Sequence, residues 1–319
     1  MRRVLIVVAL AWYAVVSLTA QSAAGPASAE ARAVAYLSRE VPRWRQEHPC
    51  YSCHNNGDGT RALVAAARAG LVEAEALRDE AAWLRTPGRW SLNADEGGVK
   101  DLALARIQFA SALAALVDAG RGEQDELAQA VALVAADQRA DGSWPISAAA
   151  ALGSPAGYGT TLATAVARRL LDRVEEPSLR GSAARTDAWL RGHDIQSVLD
   201  ASSVLLGLGS ADDAAARAQT SRALEIIAKG QAREGGWGPY VTSPPEPFDT
   251  ALVLLAIASH RDRDPAMAAS FTRGRQYLLS TQLPDGSWPE TTRPAGNESY
   301  AQRISTTAWA LVALLATAN

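Results

Sequence analysis

Gln138-Arg-Ala-Asp-Gly142-Ser-Trp144, Gln231-Ala-Arg-Glu-Gly235-Gly-Trp237 and Gln282-Leu-Pro-Asp-Gly286-Ser-Trp288 are the three stretches that decide the predicted fold. In each of them a glycine follows the glutamine by four positions, and a tryptophan follows the glycine by two. Glutamine can bind free carbonyl groups at a helix end, glycine permits a turn, and tryptophan covers the joint with its apolar face. We therefore expect each stretch to clamp a junction between two helices.

Apolar residues on both sides of these stretches recur at intervals of three and four, which is the period of a helix. Alanine and leucine are abundant, and runs of β-branched residues are scarce. Each tryptophan stretch follows an odd-numbered helix, and Thr160-Thr161, Asp249-Thr250 and Thr306-Thr307 open the next even-numbered helices like N-caps. The pattern predicts twelve helices, at about 30–48, 58–71, 72–85, 99–120, 123–138, 158–172, 178–192, 194–209, 213–230, 247–260, 265–281 and 304–318.

The spacing of the stretches indicates a repeated unit of about 45 to 50 residues, as in helical repeat arrays. Two degenerate units fill the gaps. Trp189-Leu190 to Gln196 lacks the glycine and the final tryptophan, and Trp83-Leu84 to Trp90 keeps only the tryptophan. Six helix pairs result, so we expect a single domain over residues 30–319.

On these repeats the sequence resembles the toroids of the terpene-cyclase and prenyltransferase family, in particular the squalene-hopene-cyclase-like branch with its glutamine-tryptophan repeats. The resemblance covers most of the chain after residue 29. It implies an all-α fold, an (α/α)6 toroid with six inner and six outer helices and with the repeat turns along one rim.

The catalytic motifs of that family find no match. Class II cyclases protonate their substrate from the central acid of an Asp-x-Asp-Asp-Thr-Ala motif, and the nearest stretch here, Glu246-Pro-Phe248-Asp-Thr-Ala251, puts Phe248 at that position. Phenylalanine donates no proton, so we expect no terpene cyclase activity. Protein prenyltransferases need a zinc-binding cysteine, and complement-type relatives a Cys-Gly-Glu-Gln thioester. Both cysteines of this chain lie elsewhere, and an arginine precedes Gly122-Glu-Gln124.

The two cysteines stand in His48-Pro-Cys50-Tyr-Ser-Cys53-His54, which contains a CxxCH motif. Two thioethers at this spacing can hold one porphyrin while the adjoining histidine binds the iron. We therefore predict one covalent haem c at Cys50 and Cys53, with His54 as axial ligand. The motif lies between the first two helices, where other units carry the tryptophan turn, so the haem is expected on that rim. A Cys50–Cys53 redox pair and a metal site with His48 remain alternatives.

A second iron ligand is harder to find in the sequence. Met267 and His260 are expected at the far end of the toroid, and His193 lies on the haem rim but across the ring. We expect an iron that is five-coordinate or bound to water, and as the next choice a pair of His54 and His193. An ordinary surface histidine is the alternative for His193 and for His260.

Residues 1–29 have the pattern of a secretory signal peptide: Arg2-Arg3, an apolar run from Val4 to Leu18, and small residues ending at Ala29. A retained membrane anchor is the alternative. We expect a periplasmic or otherwise exported protein, with a membrane contact only if this segment is retained. The formal net charge of −3 does not favour a nucleic-acid partner.

The preferred functional interpretation is electron transfer between the haem and an unknown redox partner protein. A haem enzyme or sensor that acts on a small or apolar ligand in the toroid cavity, and a non-catalytic binding toroid, are the alternatives. Several acids near the rim could take part in acid/base chemistry, although acids in turns more often cap the turn or stay solvated. They are Asp58, Asp95, Glu96, Asp141, Glu234 and Asp285.

Overall fold

The computed structural model describes residues 27–48, 53–73, 77–92, 101–146, 158–263, 265–291 and 299–317. Most of the predicted signal peptide, Cys50 and the two acids Asp95 and Glu96 lie outside these ranges, as do the side chains of Cys53 and His54. Within the described residues the regular structure is helical and contains no β-strand. The predicted all-α class is confirmed.

Twelve α-helices form in the described part of the chain, one for each predicted helix. A π-helical segment, Cys53–Gly59, leads directly into the second helix, and 3₁₀ turns occupy Pro87–Leu92, Pro177–Leu179 and Ala258–Arg263. Numbered α1 to α12 in chain order, the helices are Ala29–Glu47, Thr60–Arg68, Arg78–Leu84, Leu102–Asp118, Gln124–Ala136, Thr160–Leu171, Arg180–Gly192, Val198–Leu208, Ala214–Gly230, Pro247–Ile257, Pro265–Thr281 and Tyr300–Ala316.

The even-numbered helices form a closed inner ring, because each contacts the next even-numbered helix and α12 contacts α2. The odd-numbered helices pack outside them: α5 contacts α4 and α6, α7 contacts α6 and α8, and α1 contacts α12 and α2. Inner helices such as α10 and α12 are buried on nearly every side, whereas outer helices such as α9 bury one face. The predicted (α/α)6 toroid is therefore confirmed.

The tryptophans of the three stretches clamp the outer helices to the inner ring. Trp144 is buried, its indole N–H donates to the carbonyl of Val134 at 2.7 Å, and its backbone N–H donates to Thr164 Oγ1 at 3.0 Å. Val134 belongs to α5 and Thr164 to α6, so one residue joins both helices. The other two tryptophans repeat the pattern at the same 2.7 Å indole distance, with the pairs Trp237–Ile227, Trp237–Thr250, Trp288–Leu278 and Trp288–Thr307.

The glutamines link neighbouring outer helices rather than capping their own helix. Gln138 Nε2 donates to the carbonyl of Ser182 and to Thr186 Oγ1 in α7, at 2.9 and 2.8 Å. Gln282 makes the equivalent bond to the carbonyl of Ala29, at 2.8 Å, and so joins the last repeat turn to the first helix. These bonds tie the turn after α5 to α7 and the turn after α11 to α1 in the outer layer.

Candidate functional site

The predicted site residues that the structure describes are spread over different parts of the toroid. His193 follows α7, with Nε2 3.1 Å from Thr161 Oγ1 and 3.7 Å from Asp200 Oδ1, and its ring stacks on Trp189 with centroids 4.3 Å apart. These contacts fix the imidazole at the junction of α6, α7 and α8. Its role as an iron ligand stays a prediction, because the side chain of His54 lies outside the described residues.

Two of the predicted rim acids cap their own turns. Asp141 Oδ1 accepts hydrogen bonds from the backbone and the hydroxyl of Ser143, and Asp285 Oδ1 accepts the same pair from Ser287. The backbone and hydroxyl bonds from Ser143 lower the pKa of Asp141. Both carboxylates therefore serve the repeat turns, as expected of acids in turns.

Asp58 departs from that expectation, because it lies inside the ring and is only 1% exposed. Its Oδ2 accepts hydrogen bonds from Ser305 Oγ at 2.6 Å and from Gln108 Nε2 at 3.0 Å. Its Oδ1 lies 3.4 Å from the hydroxyl of Tyr158 and 3.9 Å from Nη2 of Arg61. Partners from α2, α4, α12 and the residues before α6 thus meet at one carboxyl group.

The π-helical segment allows this placement. It packs against α4 and α12, and a Cβ atom on Gly57 would come within 2.9 Å of Gln108 Cβ. Glycine therefore lets the backbone approach α4 closely enough to carry Asp58 into the centre. The sequence contained a signal for this, since Asn55-Asn-Gly-Asp-Gly59 is a polar run at the start of a helix predicted to be an inner one.

Burial raises the pKa of Asp58 above its ordinary value. The charge of Arg61 and the hydrogen bonds from Ser305 and Gln108 act in the opposite direction, but desolvation is the larger effect. The carboxyl group is therefore held toward its neutral, protonated form. Oδ2 accepts the two shorter hydrogen bonds, whereas the contacts of Oδ1 with Tyr158 and Arg61 are longer, at 3.4 and 3.9 Å.

Three aromatic rings lie beside this carboxyl group. Phe248 and Trp309 have centroids 5.5 Å apart, and Tyr158 lies 5.8 Å from Trp309 and 6.5 Å from Phe248. The guanidinium of Arg61 lies over the Trp309 ring at 4.1 Å. Ring faces attract cations, so the cluster is suited to stabilise positive charge next to an acid.

A cavity of about 860 Å³ opens above this layer, with Arg61 and Trp309 among its lining residues. Its walls come mainly from the C-terminal halves of the inner helices, with Ala115, Val166 and Leu206, and partly from the outer helix α7. The volume lies within the usual range for small-molecule sites. Because Arg61 and Trp309 contact both the cavity and the surroundings of Asp58, the acid lies directly beneath the cavity floor.

The described residues contain no group of three or more His, Cys, Asp or Glu side chains that could hold a metal ion. None of the helices in the described ranges is long and apolar enough to cross a membrane. Cys50 and the side chains of Cys53 and His54 are not described, so haem c at these residues stays a prediction.

The C-terminal part of the chain, residues 201–319, matches the squalene-hopene cyclase C-terminal domain family. The type II terpene cyclase MstE from Scytonema has a similar structure over 90% of this chain and 96% of its own, at a TM-score of 0.61 and 16% identity. The chain has the toroidal fold of the type II terpene cyclases. A variant of MstE in complex with its substrate geranylgeranyl dihydroxybenzoate gives the same TM-score of 0.61, at 16% identity over 90% of this chain and 95% of its own.

Other similar structures differ in chemistry. The ent-copalyl diphosphate synthase from Streptomyces platensis is 18% identical, with a TM-score of 0.57 over 84% of this chain and 50% of its own. A polysaccharide lyase is 12% identical, with a TM-score of 0.54 over 91% of this chain and 97% of its own. At such identities the likeness shows the fold alone. None of the curated proteins matches the sequence.

These findings correct two predictions. The assignment as an electron-transfer haem protein is wrong, because the matched family and the terpene cyclases among the similar structures point to cyclases and not to a haem protein. The same findings contradict the alternatives of a haem enzyme, a sensor and a non-catalytic binding toroid. The exclusion of a terpene cyclase is also wrong. It rested on Phe248 at the expected position of the acid, but Phe248 is part of the aromatic cluster, and a buried acid comes from the segment before α2 instead.

Proposed function

We propose that the chain is a terpene cyclase-like enzyme in which Asp58 donates the proton that starts cyclisation of a polyprenyl substrate. The observation that carries this proposal is the buried Asp58 carboxyl, with two short hydrogen bonds on Oδ2 and a longer one on Oδ1, beside an aromatic cluster beneath the cavity floor. A general acid needs a pKa close to or above the working pH to hold its proton, and burial shifts the pKa of Asp58 in that direction.

The proposed step balances without a cofactor. The Oδ1–H bond of Asp58 breaks, and a C–H bond forms at the terminal double bond of the substrate. The tertiary carbocation that results is attacked by the next double bond, and loss of a proton at the end gives an isomer of the substrate. Ser305 and Gln108 hydrogen-bond the carboxylate that is left behind, and the faces of Trp309 and Phe248 stabilise the cation.

Access to the acid requires a movement of the cavity floor. Arg61 is the residue best placed for it, because its Nε and Nη2 have no hydrogen-bond partner among the described residues. Among the described residues, the stacking on Trp309 and the 3.9 Å approach to Asp58 are the interactions of its guanidinium. A shift of Arg61 would open a path between the cavity and Oδ1 of Asp58.

The experiment is incubation of the purified protein with geranylgeranyl diphosphate and with geranylgeranyl dihydroxybenzoate in D₂O, followed by mass spectrometry. A cyclised isomer that carries one deuterium at the newly formed C–H bond supports protonation by the enzyme. Asp58→Asn should abolish the product. Asp249→Asn is the matched control, because Asp249 is an equally buried aspartate on an inner helix and is not one of the described partners of the Asp58 carboxyl.

Failure takes two forms. Absence of a cyclised product from both substrates would contradict the proposed activity. A product that Asp58→Asn forms at the wild-type rate would leave the activity in place but remove Asp58 as its acid.

A further inference from the structure

The cavity contains more positive than negative charge. Three aspartates line it, and each is engaged by an arginine of the same wall: Asp187 by Arg168 at 2.7 Å, Asp118 by Arg173, and Asp172 by Arg168. Two further lining arginines, Arg61 and Arg169, are not neutralised in this way. The interior of the cavity therefore has a positive potential that attracts anions.

Arg169 lies near the end of α6, and its exposed side chain lines the cavity. No hydrogen bond or ion pair joins its guanidinium to another of the described residues. Its neighbour Arg168 is bound to Asp187 and Asp172, so the two adjacent arginines have different roles. Arg168 stabilises the wall, and Arg169 presents a free guanidinium to the cavity.

Partial burial lowers the pKa of Arg169, and the nearby positive charge of Arg61 lowers it further. A guanidinium stays charged in proteins even so, because its ordinary pKa lies far above neutral pH. The lowered pKa means that the charged form is less well stabilised here than in water. An anion in the cavity would relieve that cost and would bind more tightly for the same reason.

We propose that Arg169 binds an anionic head group, diphosphate or carboxylate, of the ligand that occupies the cavity. The planar guanidinium fork matches both groups through paired hydrogen bonds. This inference rests on the proposed function for the hydrocarbon part of the ligand and adds the polar part.

The position of Arg169 leaves room for a hydrocarbon chain. Helix α6 begins at Thr160, beside the layer of Tyr158 and Asp58. Arg169 comes nine positions after Thr160 in the same helix. At 1.5 Å per residue its backbone stands about 14 Å above that layer. A head group held at Arg169 can therefore direct its prenyl chain toward the floor, where the proposed acid lies.

The test is isothermal titration calorimetry of Asp58→Asn protein, in which no turnover disturbs the measurement. The ligands are geranylgeranyl diphosphate, geranylgeranoic acid and geranylgeraniol, which share the chain and differ in the head group. We expect at least one of the two anions to bind ~10-fold more tightly than the alcohol, which equals about 1.4 kcal/mol. The stronger of the two identifies the head group, and added salt should weaken its binding but not that of the alcohol.

Adding Arg169→Gln should remove this ~10-fold preference and leave the affinity for the alcohol unchanged. Arg169→Lys keeps the charge but not the planar fork, so it should retain part of the preference, which would show that the loss in Arg169→Gln is not a folding defect. The control is the double variant D118N/R173Q, which removes an ion pair from the same cavity without changing its net charge.

Three outcomes would overturn the inference: equal affinity for all three ligands, an equal loss for the alcohol and the anion in Arg169→Gln, or the same loss in the D118N/R173Q control. The binding comparison does not depend on catalysis. The binding result can therefore be interpreted even if no cyclised product is found.

Discussion

Ser305 Oγ donates a 2.6 Å hydrogen bond to Oδ2 of Asp58, although 247 residues separate them in the chain. The bond connects the last inner helix to the segment that precedes the first one. It exists only when α12 contacts α2 and closes the ring. The protonation state of the proposed acid therefore depends on the completed toroid.

Ser305→Ala tests the effect of this bond on the acid. A hydrogen bond to a charged group contributes about 1.5–3 kcal/mol, so its loss should lower the rate of product formation by ~10-fold or more. KM should stay unchanged, because Ser305 is not among the residues that line the cavity.

The pH profile separates this role from a merely structural one. Activity needs protonated Asp58, so it falls as the pH rises through the pKa of that group. The bond from Ser305 lowers this pKa, and its removal should move the fall to higher pH. Ser305→Thr keeps the hydroxyl and should restore the wild-type profile. An identical profile in Ser305→Ala would contradict the assigned role.

Asp58 should also make the stability of the protein depend on pH. Its pKa is higher in the folded than in the unfolded chain, so the folded state binds more protons between the two values. The stabilisation is complete below the unfolded pKa, near 3.9, and decreases as the pH rises toward the folded pKa. Asp58→Asn removes this dependence, so its Tm relative to wild type should be higher at pH 7 than at pH 4. The same Tm difference at both pH values would show that burial leaves the ionisation of Asp58 unperturbed.

The tryptophan clamps should contribute similar amounts to stability. Trp144→Phe, Trp237→Phe and Trp288→Phe each remove one 2.7 Å indole hydrogen bond to a helix carbonyl. We expect each to lower the free energy of unfolding by about 1–3 kcal/mol, measured by urea denaturation. Trp189→Phe is the control, since Trp189 is only partly buried and stacks on His193. If the three clamp variants are as stable as Trp189→Phe, the indole hydrogen bonds do not contribute to stability.

Glycine is required at the clamp turns for two separate reasons. Gly142 has a φ of +95°, and a Cβ atom there would lie 2.4 Å from the carbonyl oxygen of Arg185. Gly142→Ala should therefore cost more than the roughly 1–2 kcal/mol of left-handed strain alone. Gly88→Ala, where a Cβ meets nothing within 4 Å, should stay within about 0.5 kcal/mol of wild type. Thermal unfolding of the two variants makes the comparison, and equal Tm values would contradict it.

The helices and their pairing could be predicted because the signals for them are local. The apolar period lies within each helix, and the Gln-Gly-Trp stretches mark the turns between them. The shorter signals were less informative: α3 covers only Arg78–Leu84, and nothing in the apolar period indicated the π-helical segment before α2.

The candidate site could not be predicted in the same way, because it forms from residues that are far apart in sequence. Asp58 has the local sequence of a solvated turn acid, and its burial depends on Gln108, Tyr158 and Ser305. Phe248 was interpreted by its place in a motif, whereas its neighbours Tyr158 and Trp309 define its surroundings. The CxxCH motif predicts a way of attaching haem, but a short motif carries no information on what the rest of the toroid does.

The bond from Gln282 to the carbonyl of Ala29 has a consequence for synthesis on the ribosome. Synthesis starts at the N-terminus, so α1 is made long before Gln282. It lacks this contact until almost every other helix has been made. Until then Asp58 faces water without Ser305, and its pKa is close to that of a free aspartate. The nascent protein thus carries an ordinary carboxylate, and the environment that favours its protonated form arises only with the final helix.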